Sequence, residues 1–191
     1  MALKTLSLVC LLAAVAGGAE NKGGENRGAE AGGAPALQVI HGVNAEIYFS
    51  PNGGATEAIV HELAEARKEV RIQAYLFNSE PIAQALEQAK RRGVDVSVLL
   101  DKSQREDPKT IAGVVSHAGI PVEIDEKPST AHSKVMIIDK AIVITGSFNF
   151  TKASEIKNVE NLLIIHSPEL ALSYLANWNK RHAESVPYVA K

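Results

Sequence analysis

The sequence predicts an α/β fold in which a mixed, largely parallel β-sheet is sandwiched between α-helices. Strand and helix signals alternate along the chain from residue 37 onwards, and that alternation is typical of parallel sheets covered on both faces. Two runs of β-branched apolar residues, 135–138 and 141–144, resemble buried central strands. The length of 191 residues and the 46% of hydrophobic side chains suit one globular domain with a substantial core.

Turn and helix-breaking residues set the bounds of the predicted elements. The cluster at 50–54 ends the first strand, and Gly93 and Gly119 each end a helix. Pro81 and Pro168 each lie in the first turn of a helix, where proline is favoured. The predicted elements are, in order, a strand over 46–49, a helix over 55–68, a strand over 70–77, a helix from Ser79 to Gly93, a strand over 94–100, a helix over 108–117, a strand over 120–124, two strands within 132–145 joined at Asp139-Lys140, a strand over 161–165 and a helix over 168–183.

Residues 1–19 are predicted to be a secretory signal peptide. Lys4 supplies a positive start, an apolar stretch follows, and small residues allow cleavage after Ala16 or Ala19. About a dozen apolar residues are too few for a membrane-spanning helix, which needs about 20. The sequence therefore predicts an exported protein, periplasmic or secreted. The single cysteine, Cys10, lies within this segment, so the mature chain would suit an oxidising compartment.

Residues 20–36 contain five glycines, one proline and no apolar side chain larger than alanine. Such a segment cannot bury enough surface to offset its chain entropy, so it is predicted to be a flexible linker. The folded domain is expected over 37–191. The formal net charge of -2 speaks against a generally basic surface for nucleic acid, although local patches remain compatible with it.

Polar residues at the ends of the two buried strands form the candidate site. Side chains two apart in a strand share a face, which pairs His132 with Lys134 and, in an extended segment, Ser147 with Asn149. A neutral imidazole is a nucleophile and, once protonated, a general acid. The ammonium, amide and hydroxyl groups can hold phosphate oxygens. Glu160 is the candidate carboxylate to fix the imidazole tautomer, so the set predicts phosphodiester cleavage.

The arrangement His-x-Lys, four residues, Asp, six residues, Gly-Ser-x-Asn resembles the HKD signature of the phospholipase D superfamily without a gap. Other features are similar to its small bacterial endonuclease branch, whose members carry a single motif. These features are the segments 74–77 with Ser79, 92–96, 99–101 and 146–151. The resemblance covers roughly residues 43–181 and implies a phospholipase D-like fold.

The resemblance implies a role for each residue of the candidate site. His132 would attack phosphorus and form a phosphohistidine, which water then hydrolyses. Lys134 and Asn149 would hold the phosphate, Ser147 would support the site, and Glu160 would orient His132.

The resemblance also implies structural roles for Asp139 and Gly146. It further implies that the reaction needs neither a metal nor another cofactor. Asp139 has the opposite strand parity to His132 and lies at a turn, where aspartate is favoured. The reaction scheme needs two imidazoles, but only His132 begins a His-x-Lys motif. A homodimer that joins two copies of His132 in one composite active site is therefore expected.

Three functions remain open at this point. The first is a metal-independent, nonspecific endonuclease acting on DNA, with RNA as a further substrate, and Lys127, Lys152 and Lys157 are candidates for a local basic patch. The second is a phospholipase D that hydrolyses phosphatidylcholine-type lipids to phosphatidate and a free head group. The third is a non-catalytic phosphate-binding protein. Beyond the signal segment, no amphipathic membrane-surface helix is evident.

Two other interpretations concern individual residues. The alternative to a phosphate site is a metal site whose ligands would be His132, Asp139, Glu160 and His166. It would leave Lys134 facing a cation, which is electrostatically unfavourable. Tyr174 and Trp178 are four apart on the last predicted helix and are expected to belong to the core.

Overall fold

A computed structural model describes residues 44–189. The predicted signal peptide, the predicted linker and the expected start of the domain at residue 37 lie outside the described residues. The elements are, in order, β1 Asn44–Ser50, α1 Ala55–Glu65, β2 Glu69–Ala74, α2 Glu80–Arg91, β3 Asp95–Asp101, a 3-10 turn Lys102–Arg105, α3 Ala112–His117, β4 Val122–Asp125, β5 Lys134–Ile138, β6 Ile142–Gly146, α4 Lys152–Ile156, β7 Glu160–His166, α5 Pro168–His182 and β8 Val186–Pro187.

The strands form one mixed sheet in the order β1-β7-β6-β5-β2-β3-β4-β8. Along β2, the even-numbered residues Val70 and Ile72 pack into a large core with α1, α2 and α3. On the other face, Val135 and Ile137 of β5 pack against Trp178 of α5 in a smaller core. Helices therefore cover both faces, and the predicted α/β class is confirmed. Among residues 44–189, no helix is both long enough and apolar enough to cross a membrane.

The expectation that the sheet is largely parallel is wrong. Of the seven strand pairs within residues 44–189, only β2–β3 and β3–β4 run parallel, and the other five are antiparallel. Parallel neighbours need a crossover, which α2 and α3 provide. The three residues between β5 and β6 are too few for a crossover, so these two strands pair antiparallel. β7 follows a longer connection that contains α4, and it also pairs antiparallel with β6, which completes a three-stranded meander.

Three short elements were not predicted, and one helix is shorter than expected. The 3-10 turn, α4 and β8 each span five residues or fewer, too few to show a hydrophobic period. The expected helix over 108–117 begins only at Ala112, because Asp107 forms a turn in which its carboxylate accepts from the Lys109 amide. The hydroxyl of Thr151 caps α4 by accepting from the Ser154 amide at 3.1 Å.

The sheet topology collects several strand ends at a single edge. Because β5 runs antiparallel to β2, it begins where β2 ends, with Ala74 opposite Lys134. β6 returns to that edge, where Gly146 pairs with Leu162 near the start of β7. Ligand sites in open α/β sheets lie outside the carboxyl ends of their parallel strands, and this edge contains the ends of β2 and β3.

Candidate active site

A cleft of about 570 Å³ lies at this edge of the sheet. Its lining is mostly polar, with Val135 and Tyr174 as the larger apolar contributors. All five residues predicted to be catalytic line it, together with Gly146; they are His132, Lys134, Ser147, Asn149 and Glu160. The structure thus brings the predicted site residues into one place, while their catalytic roles stay predictions.

His132 and Lys134 contact each other at the start of β5. Lys134 is only 6% exposed, whereas His132 is exposed at the mouth of the cleft. The Lys134 ammonium donates to the His132 carbonyl at 2.7 Å and lies 2.9 Å from the His132 Nδ1 atom. Burial lowers the pKa of Lys134, and the negative charge of Glu160 partly opposes this shift. An arriving phosphate would favour the charged ammonium, so the buried cation is suited to an anionic ligand.

Tyr75 is a site residue to which the sequence analysis gave no role. Its ring lies 4.3 Å from the His132 ring, measured between centroids, and the Lys134 ammonium lies 5.1 Å from its ring centroid. Its amide donates to the Ser133 carbonyl at 3.0 Å, which ties the end of β2 to the start of β5. Tyr75 therefore restricts the imidazole and gives the ammonium a cation–π partner. The signal available was its place directly after a buried strand.

Asp101 is a second residue whose role the sequence analysis missed. It is buried at the end of β3, and its carboxylate accepts from the Ala131 amide at 2.6 Å and the Ser103 amide at 2.9 Å. Burial acts to raise the pKa of Asp101, but these backbone hydrogen bonds, together with the Ser103 hydroxyl and the charge of Lys102, outweigh it and the pKa is lowered. Since Ala131 immediately precedes His132, the carboxylate holds the segment that carries His132.

Glu160 does not make the contact that was expected of it. Its carboxylate accepts from the Ser147 hydroxyl at 2.6 Å and from the Asn158 side-chain amide at 3.0 Å. No hydrogen bond joins it to His132 within the described part of the chain. Ser147 is its nearer partner because β6 and β7 are neighbours, and the Asn161 amide donates to the same hydroxyl at 3.1 Å. Glu160 acts on the other site residues through its charge, which favours the protonated form of Lys134.

Asn149 is held between two buried aromatic residues, Phe148 and Phe150. The Phe150 carbonyl accepts from the amides of Asn78 and Ser79, both at 3.0 Å, which fixes the segment against the start of α2. The Asn149 side-chain oxygen is buried and has no hydrogen-bond partner among residues 44–189. A buried amide with an unpaired atom is able to hydrogen-bond a ligand that enters the cleft.

Gly146 lies where the chain passes closest to β7. A Cβ atom at this position would lie 2.2 Å from the Asn161 carbonyl oxygen, so no other residue fits without a backbone shift. The same oxygen accepts from the amides of Ser147 at 3.1 Å and Phe148 at 3.2 Å. The glycine therefore permits the close approach that positions the Ser147 hydroxyl.

Asp139 lies at the opposite end of the β5–β6 hairpin from the cleft. Its carboxylate accepts three backbone hydrogen bonds, from Arg67 at 2.9 Å, Lys68 at 2.7 Å and Glu69 at 2.9 Å. Its φ of 53° lies in the left-handed region, which aspartate tolerates better than most residues. The contacts support the interpretation of Asp139 as a structural residue of the motif.

The alternative metal site of His132, Asp139, Glu160 and His166 is not formed. Asp139 is bonded at the other end of the hairpin, and His166 is six residues along β7 from Glu160, a strand distance of about 20 Å. His166 instead lies 3.7 Å from a carboxylate oxygen of Glu46. The four side chains therefore cannot share one ion.

The lysines proposed as a basic patch lie outside the lining of the cleft. Lys127 pairs with Glu184, and neither it nor Lys152 nor Lys157 lines the cleft.

Trp178 is buried and donates to the Ile72 carbonyl at 2.9 Å, so its core assignment is confirmed. Tyr174 packs against the same core but also lines the cleft, which the sequence analysis did not anticipate.

The five predicted site residues bring one imidazole, one ammonium, one amide, one hydroxyl and one carboxylate to the lining of the cleft. Among the described residues that line it, His132 is the sole histidine. A nucleophile beside cationic and hydrogen-bonding groups suits the transfer of an anionic phosphoryl group. A second imidazole to protonate the leaving oxygen is not supplied by the described residues of one chain.

Comparisons with known proteins give one family. The model of the cardiolipin synthase, PLD-like domain matches residues 59–181. The chain is 44% identical over 157 residues to a phospholipase D of Rickettsia conorii, and the match covers 78% of each protein. It is 30% identical over 131 residues to the human mitochondrial cardiolipin hydrolase, covering 68% of this chain and 52% of that protein. A crystal structure of the phospholipase D family member Nuc from Salmonella typhimurium superposes with a TM-score of 0.74 at 36% identity, covering 78% of this chain and 99% of that one.

Proposed function

Because this chain belongs to the phospholipase D superfamily and is a hydrolase of phosphodiester bonds, we propose that it is a metal-independent, nonspecific endonuclease that cleaves nucleic acid through a phosphohistidine. The observation that carries the proposal is the convergence of His132 and Lys134 with Ser147 and Asn149 in one solvent-open, polar cleft. An exposed nucleophile suits an extended polymer, whose phosphates lie on its outside.

The proposed reaction has two displacement steps. A ring nitrogen of His132 attacks phosphorus, the bond to the leaving oxygen breaks, and a second, protonated imidazole gives its proton to that oxygen. Water then gives a proton to the second imidazole and attacks phosphorus, which breaks the phosphorus–nitrogen bond and restores His132. Lys134, which contacts the ring in the free protein, would turn to a non-bridging phosphate oxygen.

We assign the second imidazole to the partner subunit's His132 in a homodimer with one composite site. Support comes from the exposure of His132 and from the presence of one histidine in the described lining of the cleft. The proposal is tested by mixing wild-type and His132→Ala chains one to one after dissociation. A composite site leaves about a quarter of the wild-type activity, because only wild-type pairs work, whereas independent sites leave about half. A fully active monomer in light scattering would contradict the assignment.

Nucleic-acid cleavage is tested by incubating the mature protein with plasmid DNA in EDTA. We expect nicking and linearisation by the wild type and none by His132→Ala. The matched control is His117→Ala, since His117 lies on α3 and contacts the Gly113 carbonyl, away from the cleft. Absence of nicking by folded wild-type dimer would exclude the nuclease.

The second candidate is phospholipase D activity on phosphatidylcholine-type lipids. Phe49 is 67% exposed and Val159 is 88% exposed, and both adjoin Glu160 at the cleft: Val159 precedes it and Phe49 pairs across the strands with Asn161. Exposed apolar side chains beside a phosphate site suit a membrane surface. Choline release from phosphatidylcholine vesicles would support this candidate, particularly if Phe49→Ser with Val159→Ser reduces it without affecting plasmid nicking.

The location of the protein is a separate proposal. We propose export to the periplasm or outside the cell, on the strength of the signal-like segment at residues 1–19. Cell fractionation and N-terminal sequencing test it. A mature N-terminus at residue 17 or 20 is expected, and an uncleaved chain in the cytoplasm would contradict it.

A further inference from the structure

A second cluster of ionisable side chains lies at the end of the sheet opposite the cleft. Glu46 of β1, Glu62 of α1 and His166 of β7 bring one oxygen or nitrogen atom each within 4.8 Å of one another. The Tyr48 hydroxyl donates to Glu46 Oε2 at 2.5 Å, and His166 Nε2 lies 3.7 Å from Glu46 Oε1. The cluster joins two strands and a helix, and the proposed phosphodiesterase reaction uses none of its members.

Glu62 is the unusual member of this cluster. It is only 8% exposed, yet within residues 44–189 its carboxylate has neither a hydrogen-bond donor nor an ion pair. No described lysine or arginine pairs with Glu46 either. A buried carboxylate costs free energy unless a cation, a proton or hydrogen bonds compensate it. The mostly buried side chain is therefore directed into a group of ligand atoms, and no described lysine or arginine neutralises its charge.

We propose that Glu46, Glu62 and His166 bind one divalent transition-metal ion, with zinc as the best match. Two carboxylates and one imidazole supply three ligands of the kind that zinc accepts, and a water molecule would complete a tetrahedral site. The imidazole disfavours calcium and magnesium, which prefer oxygen ligands alone. The two carboxylate charges balance the charge of the ion.

The distances allow this coordination after a small adjustment. Ligand bonds of about 2.0–2.1 Å in a tetrahedral site place neighbouring ligand atoms about 3.3 Å apart. The spacing of up to 4.8 Å between the present ligand atoms has to close by about 1.5 Å, which side-chain rotation of the two glutamates can provide. The hydroxyl of Tyr48 holds one oxygen of Glu46 and so orients that carboxylate for the ion.

The site would be separate from catalysis. His166 and the cleft residue Glu160 occupy opposite ends of β7, about 20 Å apart along the strand. The bound ion would instead fasten the edge strand β1 to α1 and β7. Binding to the native state alone raises stability, so the expected consequence is metal-dependent stability in a protein whose cleavage reaction uses no metal.

The experiment measures zinc binding by titration calorimetry and thermal unfolding on EDTA-treated, dialysed full-length protein. We expect one high-affinity zinc ion per chain and a melting temperature that rises with zinc concentration. Glu62→Gln and His166→Ala should each weaken binding by more than tenfold, since even indirect partners of a ligand cost about 10–100-fold. His61→Ala is the matched control, because His61 is the exposed neighbour of Glu62 on the same helix and should leave binding unchanged.

The Glu62→Gln variant separates a loss of zinc binding from a loss of folding. Glu62→Gln removes a buried charge, so it should fold at least as well as the metal-free wild type while losing the response to zinc. Zinc binding that is equal in the wild type and in Glu62→Gln, or that is lost in His61→Ala alone, would overturn the assignment. So would the absence of zinc binding by the folded wild type.

Discussion

Replacing Asp139 should lower stability and leave catalysis intact, because its carboxylate binds backbone rather than the cleft. Oδ1 accepts from the amides of Lys68 and Glu69, and Oδ2 accepts from the amide of Arg67. At about 1 kcal/mol for each bond in this partly exposed place, Asp139→Ala should cost about 3 kcal/mol. Asp139→Asn keeps the oxygen that takes two bonds, so it should cost about 1 kcal/mol.

These costs are measurable by urea unfolding and calorimetry. For a domain of this size, a loss of about 3 kcal/mol corresponds to a melting temperature lower by about 6–12 °C. Lys140→Ala is the control, since Lys140 shares the positive φ of Asp139 and, among the described residues, its exposed side chain makes a single 3.8 Å ion pair with Glu69. Turnover per folded molecule should match the wild type in all three variants. Wild-type stability in Asp139→Ala, or a tenfold loss of turnover in folded protein, would refute the structural role.

Four further variants test the cleft. Tyr75→Leu should lower kcat by about tenfold, since the His132 ring loses its packing partner; an unchanged kcat in folded protein would contradict this. Because burial lowers the pKa of Lys134, activity should fall with rising pH before the usual lysine pKa of about 10.4 is reached. The guanidinium of Lys134→Arg stays charged, so this variant should lose that alkaline decrease in activity while its kcat is reduced. Gly146→Ala should cost more than about 3 kcal/mol in urea unfolding, because its Cβ would lie 2.2 Å from a carbonyl oxygen. Asp101→Asn should retain the fold but reduce kcat, because the segment before His132 loses a charge-assisted hydrogen bond. The kcat is measured with a small phosphodiester, and full activity would exclude this positioning role.

The elements with strong periodic patterns were predictable from sequence. Eleven helices and strands were expected and all are present among the described residues, with bounds that differ by a few residues. Strand direction was not predictable from alternation alone, since it depends on whether a connection is long enough to cross the sheet. The hairpin turn at Asp139-Lys140 was anticipated, but its implication of an antiparallel meander was not drawn.

The site was predictable where one short segment supplies the chemistry and hard to predict where distant segments meet. His132, Lys134, Ser147 and Asn149 follow from strand parity within a single stretch of the chain. Tyr75, directly after β2, and Asp101, at the end of β3, contact that stretch from distant parts of the sequence, and the sheet order shows that they adjoin it. The partner of Glu160 depended on the register of β6 against β7, which is likewise a tertiary property.

The spacing of the motif has a physical origin in the length of one hairpin. From Lys134 the chain forms the five residues of β5, turns at Asp139, and returns over the five residues of β6 to Gly146. The register pairs Val135 with Thr145, so Lys134 and Gly146 meet at the cleft. Adding one residue to either strand would turn its side chains to the opposite face, and would separate the ammonium from the Ser147 hydroxyl. Asp139 fixes the far end of that hairpin, which explains why a residue remote from the cleft belongs to the same signature as those inside it.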